Sequence, residues 1–316
     1  MDTPILLLFF NRSKNVKQLI NRLKITKPKK IFISLDGPRK NNSKDLIEIR
    51  KILEIITSIN WNCEVTKNIN SVNLGCKVSV TNAINWFFSK NEYGIILEDD
   101  CIPGNDFFNF CEYNLKKYKN NDKIMQISGN NFLLNDKLCE TSYYYSTIND
   151  IWGWATWKRA WDHYKIDISD YNYKKDYKML LNYYKNKSIV KWMKKYFDNS
   201  IRKENDIWST QWTYAMIKAD GITIVPKVNL VKNIGFDRSG TTKDNFSFKI
   251  YSEIEAKQLK VIKDPKNIKV NYYLDKIRFR LIKKTDPNLF LYNNFIKLIP
   301  KPIKKIIKYI KVFIKH

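Results

Sequence analysis

Three short, almost uninterrupted apolar runs, ILLLFF at residues 5–10, IFISL at 31–35 and GIIL at 94–97, each end on polar residues and are separated by stretches of helical periodicity. Runs of this length are strands. Strands lacking a polar face are buried on both sides, which is the pattern of a parallel sheet covered by helices. The intervening periodicity predicts helices over residues 15–23, 46–56 and 78–88, with a further strand at 63–66. The resulting β, α, β, α order gives the fold class: α/β, with a Rossmann-like, mainly parallel sheet and flanking helices. In such sheets ligands lie beyond the carboxyl ends of the strands. Two polar segments stand there: Asp36, Gly37, Pro38 and Arg39 after one strand, and Glu98, Asp99 and Asp100 after another.

The second half is less regular. Residues 107–127 read as a helix leading into a strand, Asn130 and Asn131 open a loop, and residues 143–161 are rich in Tyr and Trp. Residues 172–204 read as lysine-rich helix and 221–225 as strand. A length of 316 residues allows one large domain or two modest ones. The five cysteines, Cys63, Cys76, Cys101, Cys111 and Cys139, are an odd number without a CxxC pair, which speaks against a disulfide framework or a zinc site and fits a reducing cytoplasm. Asp2 and the absence of a basic region mark the N-terminus as a buried strand rather than a signal peptide. With no apolar run of bilayer length, the expectation is a soluble or peripheral protein.

Net charge is +26, from 57 Lys and Arg against 31 Asp and Glu, and such a field attracts polyanions of any kind. Nucleic acid, anionic lipid and phosphorylated substrates are all compatible with it. The Lys, Asn and Ile bias is also what an AT-rich genome produces, so charge alone is a weak guide. After Pro300 and Pro302, which suit a helix start, Ile303, Ile306, Ile307, Ile310, Phe313 and Ile314 recur at helical spacing with lysines between them. That pattern predicts an anchor on an anionic membrane surface, at about 1 kcal/mol per lysine. A helix packed on the main domain with solvated lysines is the alternative.

Three successive carboxylates after YGIIL are costly to hold together, because each charge raises the cost of ionising the next. A bound cation removes that cost, and hard ions such as Mn2+ or Mg2+ take oxygen ligands, often completing their shell with phosphate and water. A solvated acidic loop is the other reading, against which the strand-end position weighs.

The stretch IILEDDCIPGNDFFNF resembles the GT-A glycosyltransferases related to the Golgi β-1,2-N-acetylglucosaminyltransferase that initiates complex N-glycans, and their bacterial relatives. LLLFFNR, ISLDG and NLGCKVSVTNAINWFF precede it, and QISGNN, WGWATWKRAW, DIWSTQW and PKVNLVKNIGF follow it, in the family's order. The resemblance spans roughly residues 4–245. It implies that Arg12 and Asp36 line the nucleotide pocket, with Asp36 on the uracil. Asp100 would be the direct metal ligand, and Glu98 and Asp99 would contact sugar or ribose hydroxyls. It also implies a general base in DIWSTQW, for which Asp206 is the first candidate and Glu204 the reserve. A second acid that relatives carry after this tryptophan is Ser209 here.

Several of these residues also have plainer readings. Asp36 precedes a glycine, as in many tight turns, and Asp206 is placed to cap a helix. Trp154 beside Gly153 is the tryptophan expected at the donor. Trp157 and Trp161 share a helical spacing that suits packing, and Asp150 and Trp152 are the expected acceptor contacts, for which a loop or cap role of Asp150 fits equally well. The loop at residues 235–246 carries Arg238 and Ser239, which suit closure over a diphosphate. A mobile surface loop is its alternative, and Thr242 stands where relatives often carry histidine. The two histidines, His163 and His316, fit no catalytic pattern.

The sequence therefore predicts a catalytic domain over residues 1–248, divided into a nucleotide-sugar half at 1–132 and an acceptor half at 133–248. An extension follows at 249–288, then a basic amphipathic helix at 289–316. The expected activity is metal-dependent, inverting transfer from a UDP-sugar, such as a UDP-N-acetylhexosamine, to a bacterial surface glycan in lipooligosaccharide or capsule. The acceptor would be lipid-linked and the enzyme peripheral on the inner face of the cytoplasmic membrane. A sugar nucleotidyltransferase is the second enzymatic reading, but Phe9, Phe10, Asn11 and Arg12 form no glycine-rich phosphate loop. A non-catalytic polyanion-binding protein is the third. Specific nucleic-acid binding is not expected, because the aromatics cluster near the acids.

Overall fold

The structure, a computed structural model, describes residues 1–133, 135–202, 206–235 and 253–285. Its first half alternates as the apolar runs predict. Strand β1 (Ile5–Phe9) is followed by α1 (Ser13–Thr26), β2 (Lys30–Leu35), α2 (Ser43–Thr57), β3 (Glu64–Ile69), α3 (Cys76–Phe88) and β4 (Tyr93–Glu98). Then come β5 (Cys101–Pro103), α4 (Phe107–Lys117), β6 (Ile124–Ser128), β7 (Tyr143–Ser146), β8 (Trp154–Trp157) and the short α5 (Lys158–Trp161). Helices α6 (Tyr173–Tyr184), α7 (Lys187–Ile201) and α8 (Ser209–Lys218) lead to β9 (Ile222–Pro226), β10 (Val231–Asn233) and α9 (Tyr272–Thr285).

One eight-stranded sheet runs in the order β3, β2, β1, β4, β8, β6, β9, β7. β1 pairs in parallel with both β2 and β4, and β2 with β3. The β8 and β7 strands run antiparallel to their neighbours, while β6 and β9 are parallel to each other. The sheet is thus mixed but mainly parallel, as the sequence predicts. Its two faces divide the strand residues with period two. Ile5, Leu7, Phe9, Ile31, Ile33, Ile95 and Leu97 pack against α1, α2 and α4. Leu6, Leu8, Phe32 and Ile96 pack against Val80, Ala83, Ile84 and Phe87 of α3 and Trp212 of α8. A run with no polar face forms because helices cover both sides.

The tryptophan-rich segment differs from its helical reading. Trp154 to Trp157 is a strand, so alternation sends Trp157 into one core and Trp154 into the other. Trp161 lies with Trp154 rather than Trp157, because the chain turns from strand into α5 between them. Among the described residues asparagine caps four of the α-helices: the side chains of Asn42, Asn172, Asn186 and Asn271 accept first-turn N–H groups of α2, α6, α7 and α9.

Residues 253–285 pack on the sheet domain. The N–H of Lys257 donates to Asn229 O and that of Ser142 to Lys263 O, and Val270 bridges to Tyr145. Asp264 accepts from Tyr113 and Tyr143, each at 2.7 Å. Among the described residues no helix is long and apolar enough to cross a membrane. The predicted helix at 289–316 lies outside the described residues.

Gly153 has φ of +72°, and a Cβ there would come within 2.9 Å of Val231 and 3.1 Å of Leu97. Gly153→Ala is expected to lower stability by about 1–3 kcal/mol through left-handed strain and crowding, seen as a lower urea midpoint at unchanged slope. An unchanged midpoint would contradict this packing.

Candidate active site

In a doubly wound sheet the crevice forms where successive crossovers leave in opposite directions. Here that point lies between β1 and β4: from β1 the chain moves outward through β2 to β3, then returns to place β4 on the other side of β1. Arg12 stands just past the end of β1, and Glu98, Asp99 and Asp100 stand at the end of β4. The topology alone makes them neighbours.

Arg12 forks onto Asp99, with Nε donating to Oδ2 at 3.0 Å and Nη2 to Oδ1, while Nη1 reaches Asp100 Oδ2 at 3.1 Å. The Asp99 side chain is only 3% exposed and both its oxygens face Arg12. Expected at a sugar or ribose hydroxyl, Asp99 is in fact a buried counter-ion of Arg12. Glu98 is half-buried, and among the described residues its carboxylate makes no hydrogen bond.

Among the described residues one guanidinium stands against three carboxylates, and the cluster is short of positive charge. Burial first, then Asp100 and Asp99, push the Glu98 pKa up to about 8. Burial outweighs the pull of Arg12 at Asp99 and pushes it up to about 7. The Arg12 guanidinium, held by Asp99 and Asp100, is driven above its ordinary value despite its burial.

Asp100 is held from the far side of the sheet domain. β5 pairs antiparallel with β10, setting Cys101 opposite Asn233. Asn233 Nδ2 donates to Asp100 Oδ1 at 3.3 Å and Asn233 Oδ1 accepts the N–H of Gly235 at 2.8 Å. Gly235 touches the carboxylate so closely that a Cβ would lie 2.2 Å from Asp100 Oδ2. The predicted diphosphate loop thus departs from contact with Asp100. Its residues Arg238 and Ser239, like Thr242, lie outside the described residues.

Asp36 is 5% exposed at the end of β2. Its carboxylate accepts from the N–H groups of Gly37 at 3.0 Å and Leu74 at 3.1 Å, and from Asn70 at 3.1 Å and Asn73 at 2.8 Å. These bonds fill its acceptor sites and tie the turn after β2 to the loop before α3, which is the tight-turn reading extended. Beside it Asp45 takes the side chains of Arg39 and Asn11, and the Arg39 bond first of all lowers its pKa to about 2. Together these bonds fix the ends of β1 and β2 and the start of α2.

Asp206 is a cap, but not of its own helix. α8 begins at Ser209 with Trp208 at the cap position and no side-chain bond. The exposed Asp206 carboxylate instead accepts the N–H groups of Cys76 at 2.6 Å and Lys77 at 3.0 Å, the first turn of α3. Gly75 at φ +78° makes room, since a Cβ would lie 2.7 Å from Asp206 Oδ2. Cys76 marks the neighbourhood: withdrawal from water first, then Glu98, Asp206 and Asp36, push its thiol up to about 12 although one edge is exposed. Asp206, Asp36 and Glu98 therefore all lie within electrostatic reach of Cys76. Glu204 lies outside the described residues.

Trp154, expected at the donor, is 1% exposed and stacked on Trp208 at 5.6 Å, so its ring is core rather than pocket wall. Trp152 is half-buried against Phe132, with Asp150 two residues before it. Asn70, Asn73, Cys76 and Asn233 were not singled out by the sequence. The PKVNLVKNIGF motif contains Asn233, but only the long-range β5 to β10 pairing brings it to Asp100.

Among the described residues no three His, Cys, Asp or Glu side chains are arranged to hold an ion by themselves. The charge deficit and the partly exposed Asp100, 15% at its side chain, fit a cation shared with an anionic ligand.

No family model and no curated protein matches the sequence. Among solved structures the chain is similar to the mannosyltransferase PcManGT from Pyrobaculum calidifontis in complex with GDP-Man and Mn2+, at 10% identity and TM-score 0.37 over 52% of this chain and 48% of that one. It is similar also to HddC from Yersinia pseudotuberculosis complexed with GMP-PN, at 13% identity and TM-score 0.30 over 50% of this chain and 77% of that one. A UDP-glucose pyrophosphorylase complexed with UDP-glucose follows at 10% identity and TM-score 0.25, over 46% and 62%. The chain spans about half the length of the mannosyltransferase. Likenesses this partial assign it to none of these families.

The raised carboxylates give a pH signature. A group whose folded pKa lies above its unfolded value stabilises below the unfolded value and loses that contribution as pH rises through the folded one. For Glu98 the window runs from 4.5 to about 8. In chelator, the Tm of Glu98→Gln minus that of the wild type should therefore rise across this window. A pH-independent difference would contradict the site electrostatics.

Proposed function

We propose that this chain is a metal-dependent, inverting glycosyltransferase of the GT-A kind, moving a sugar from a UDP-sugar, a UDP-N-acetylhexosamine first among them, to a bacterial surface glycan such as lipooligosaccharide or capsule. One observation carries the reading: three carboxylates, faced among the described residues by one arginine, stand at the switch point of a mainly parallel sheet.

Asp100 is the metal ligand, with Mn2+ or Mg2+ as the ion. When bound, such an ion offsets the charge that builds on the leaving nucleoside diphosphate. Arg12 holds Asp99 and Asp100 in register and keeps a positive charge beside the diphosphate. Glu98, the carboxylate without a protein hydrogen bond among the described residues, is free to take a donor hydroxyl. Asp36 shapes the nucleotide pocket by fixing Asn73 and Leu74, and Arg238 and Ser239 are the residues proposed to bind the diphosphate. Asp206 is the general base, with Glu204 in reserve. The first turn of α3 sets its place at the crevice, and an acceptor hydroxyl must come within hydrogen-bond reach of it. Asp150 and Trp152 lie on the acceptor side.

In the sequence after Pro302, isoleucines recurring at helical spacing with lysines between them support a peripheral position on the inner face of the cytoplasmic membrane, where a lipid-linked acceptor is presented. A nucleotidyltransferase would place a glycine-rich phosphate loop after β1, and Phe10, Asn11, Arg12 and Ser13 offer none.

The test is UDP release from a panel of UDP-sugars. Slow, Mn2+-stimulated release is expected from the correct donor, with Asp100→Ala lowering it by about a hundredfold or more at unchanged Tm. A panel in which no UDP-sugar is bound or turned over with metal present would overturn the reading.

A further inference from the structure

Two charged residues on one face of α9, Asp275 and Arg278, are buried at 1% and 7% exposure. Burying an ion is costly without a partner, and both find partners in the same short stretch, residues 146–150. Asp275 accepts from the N–H of Thr147 at 2.9 Å and from the hydroxyls of Thr147 at 2.7 Å and Ser146. Arg278 donates through Nη2 to Asp150 Oδ1 at 3.1 Å, and its guanidinium lies 4.4 Å from the ring centre of Phe132. Phe132 in turn meets Trp152 edge-on at 5.2 Å.

The gripped stretch leads into the crevice. From below, the Asp150 carbonyl accepts from Gln126 at 2.7 Å and Ser128 at 3.1 Å. Three residues later Gly153 packs against Leu97, the residue before Glu98. β8 then runs beside β4, pairing Trp154 with Ile96. The loop from 147 to 153 is therefore held by α9 at one end and by the triplet's own strand at the other.

We propose that Arg278 is a positioning residue that aims the Asp150 carboxylate, making α9 a wall of the subsite that receives a hydroxyl-rich saccharide acceptor. The proposal rests on the transferase reading. A carboxylate beside a tryptophan suits a sugar, offering an acceptor for its hydroxyls and an aromatic ring for its apolar face. Left alone, Asp150 has several rotamers. The Nη2 bond from Arg278, whose guanidinium is itself held over the Phe132 ring, selects one. The segment beyond residue 248 then belongs to the catalytic unit.

The test compares full-length wild type, Arg278→Gln and Arg278→Lys, with Lys90→Gln, exposed just after α3, as a surface control. UDP release from the donor found active is measured with Mn2+, to water alone and to methyl glycosides of glucose, galactose and N-acetylglucosamine. Arg278→Gln should raise the glycoside KM about tenfold or more while leaving the water rate within about twofold, and Arg278→Lys should recover part of the loss. Amide exchange over residues 146–153 should accelerate about tenfold in Arg278→Gln and not in the control. Loss of both rates alike, no change in either, or a wild type that no glycoside stimulates would overturn the proposal. A wild type releasing no UDP from any donor would refute the transferase reading instead, and amide exchange would then decide whether Arg278 holds the loop. If Arg278→Gln does not fold, Arg278→Lys, which keeps the charge but loses the planar guanidinium over Phe132, gives the same comparison.

Discussion

Among the described residues Arg12 is the cation set directly against the three carboxylates at the end of β4, and the arrangement of the crevice depends on that imbalance. Its fork on Asp99 and its reach to Asp100 hold two of the acids. What remains is a partly buried cluster in which burial and neighbouring charge raise the cost of ionising Glu98 and Asp99 together. A purely structural ion pair would need one acid, and additional buried carboxylates cost stability without further partners. The excess has a chemical rationale if a divalent ion and a diphosphate meet there, since together they supply the missing charge and the missing ligands.

The sheet makes this economical in chain terms. Placing β1 between β2 and β4 brings together an arginine and three acids separated by more than eighty residues of sequence. Around them, further carboxylates serve as anchors. Asp36 binds the loop before α3, Asp45 ties α2 to the ends of β1 and β2, Asp206 caps α3 from another element, and Asp275 grips the chain after β7. Each joins a strand end or loop to a helix through backbone or amide donors. Even in a chain so rich in lysine, these acids, buried except for Asp206, go to fixing loops and helix starts.

Much of the framework was legible in the sequence because full burial leaves a period-two pattern with no polar face. The runs at β1, β2 and β4 became strands within a residue or two of their predicted ends. Legibility failed where tertiary contact decided the outcome. Trp154 and Trp157 alternate as a strand although Trp157 and Trp161 are spaced as on a helix. The three-residue strands β5 and β10 are too short to leave a pattern, so the link from Asn233 to Asp100 was invisible. Asp206 carried a local capping signal that was correct in kind, but its helix lies some 130 residues away in sequence. Asp36 combined a turn signal with a resemblance to nucleotide-binding residues, and only the geometry of Asn70, Asn73 and Leu74 shows how its oxygens are used.

The central claim is that the charge deficit at Asp100 is completed by a divalent ion together with a nucleoside diphosphate. Electron paramagnetic resonance of Mn2+ reads this directly, because the free aquo ion loses its sharp signal when bound. With UDP present, the wild type should take up more Mn2+ than protein alone and UDP alone together account for, and Asp100→Asn should abolish that excess. Uptake that is merely additive, or equal in Asp100→Asn, would contradict the account.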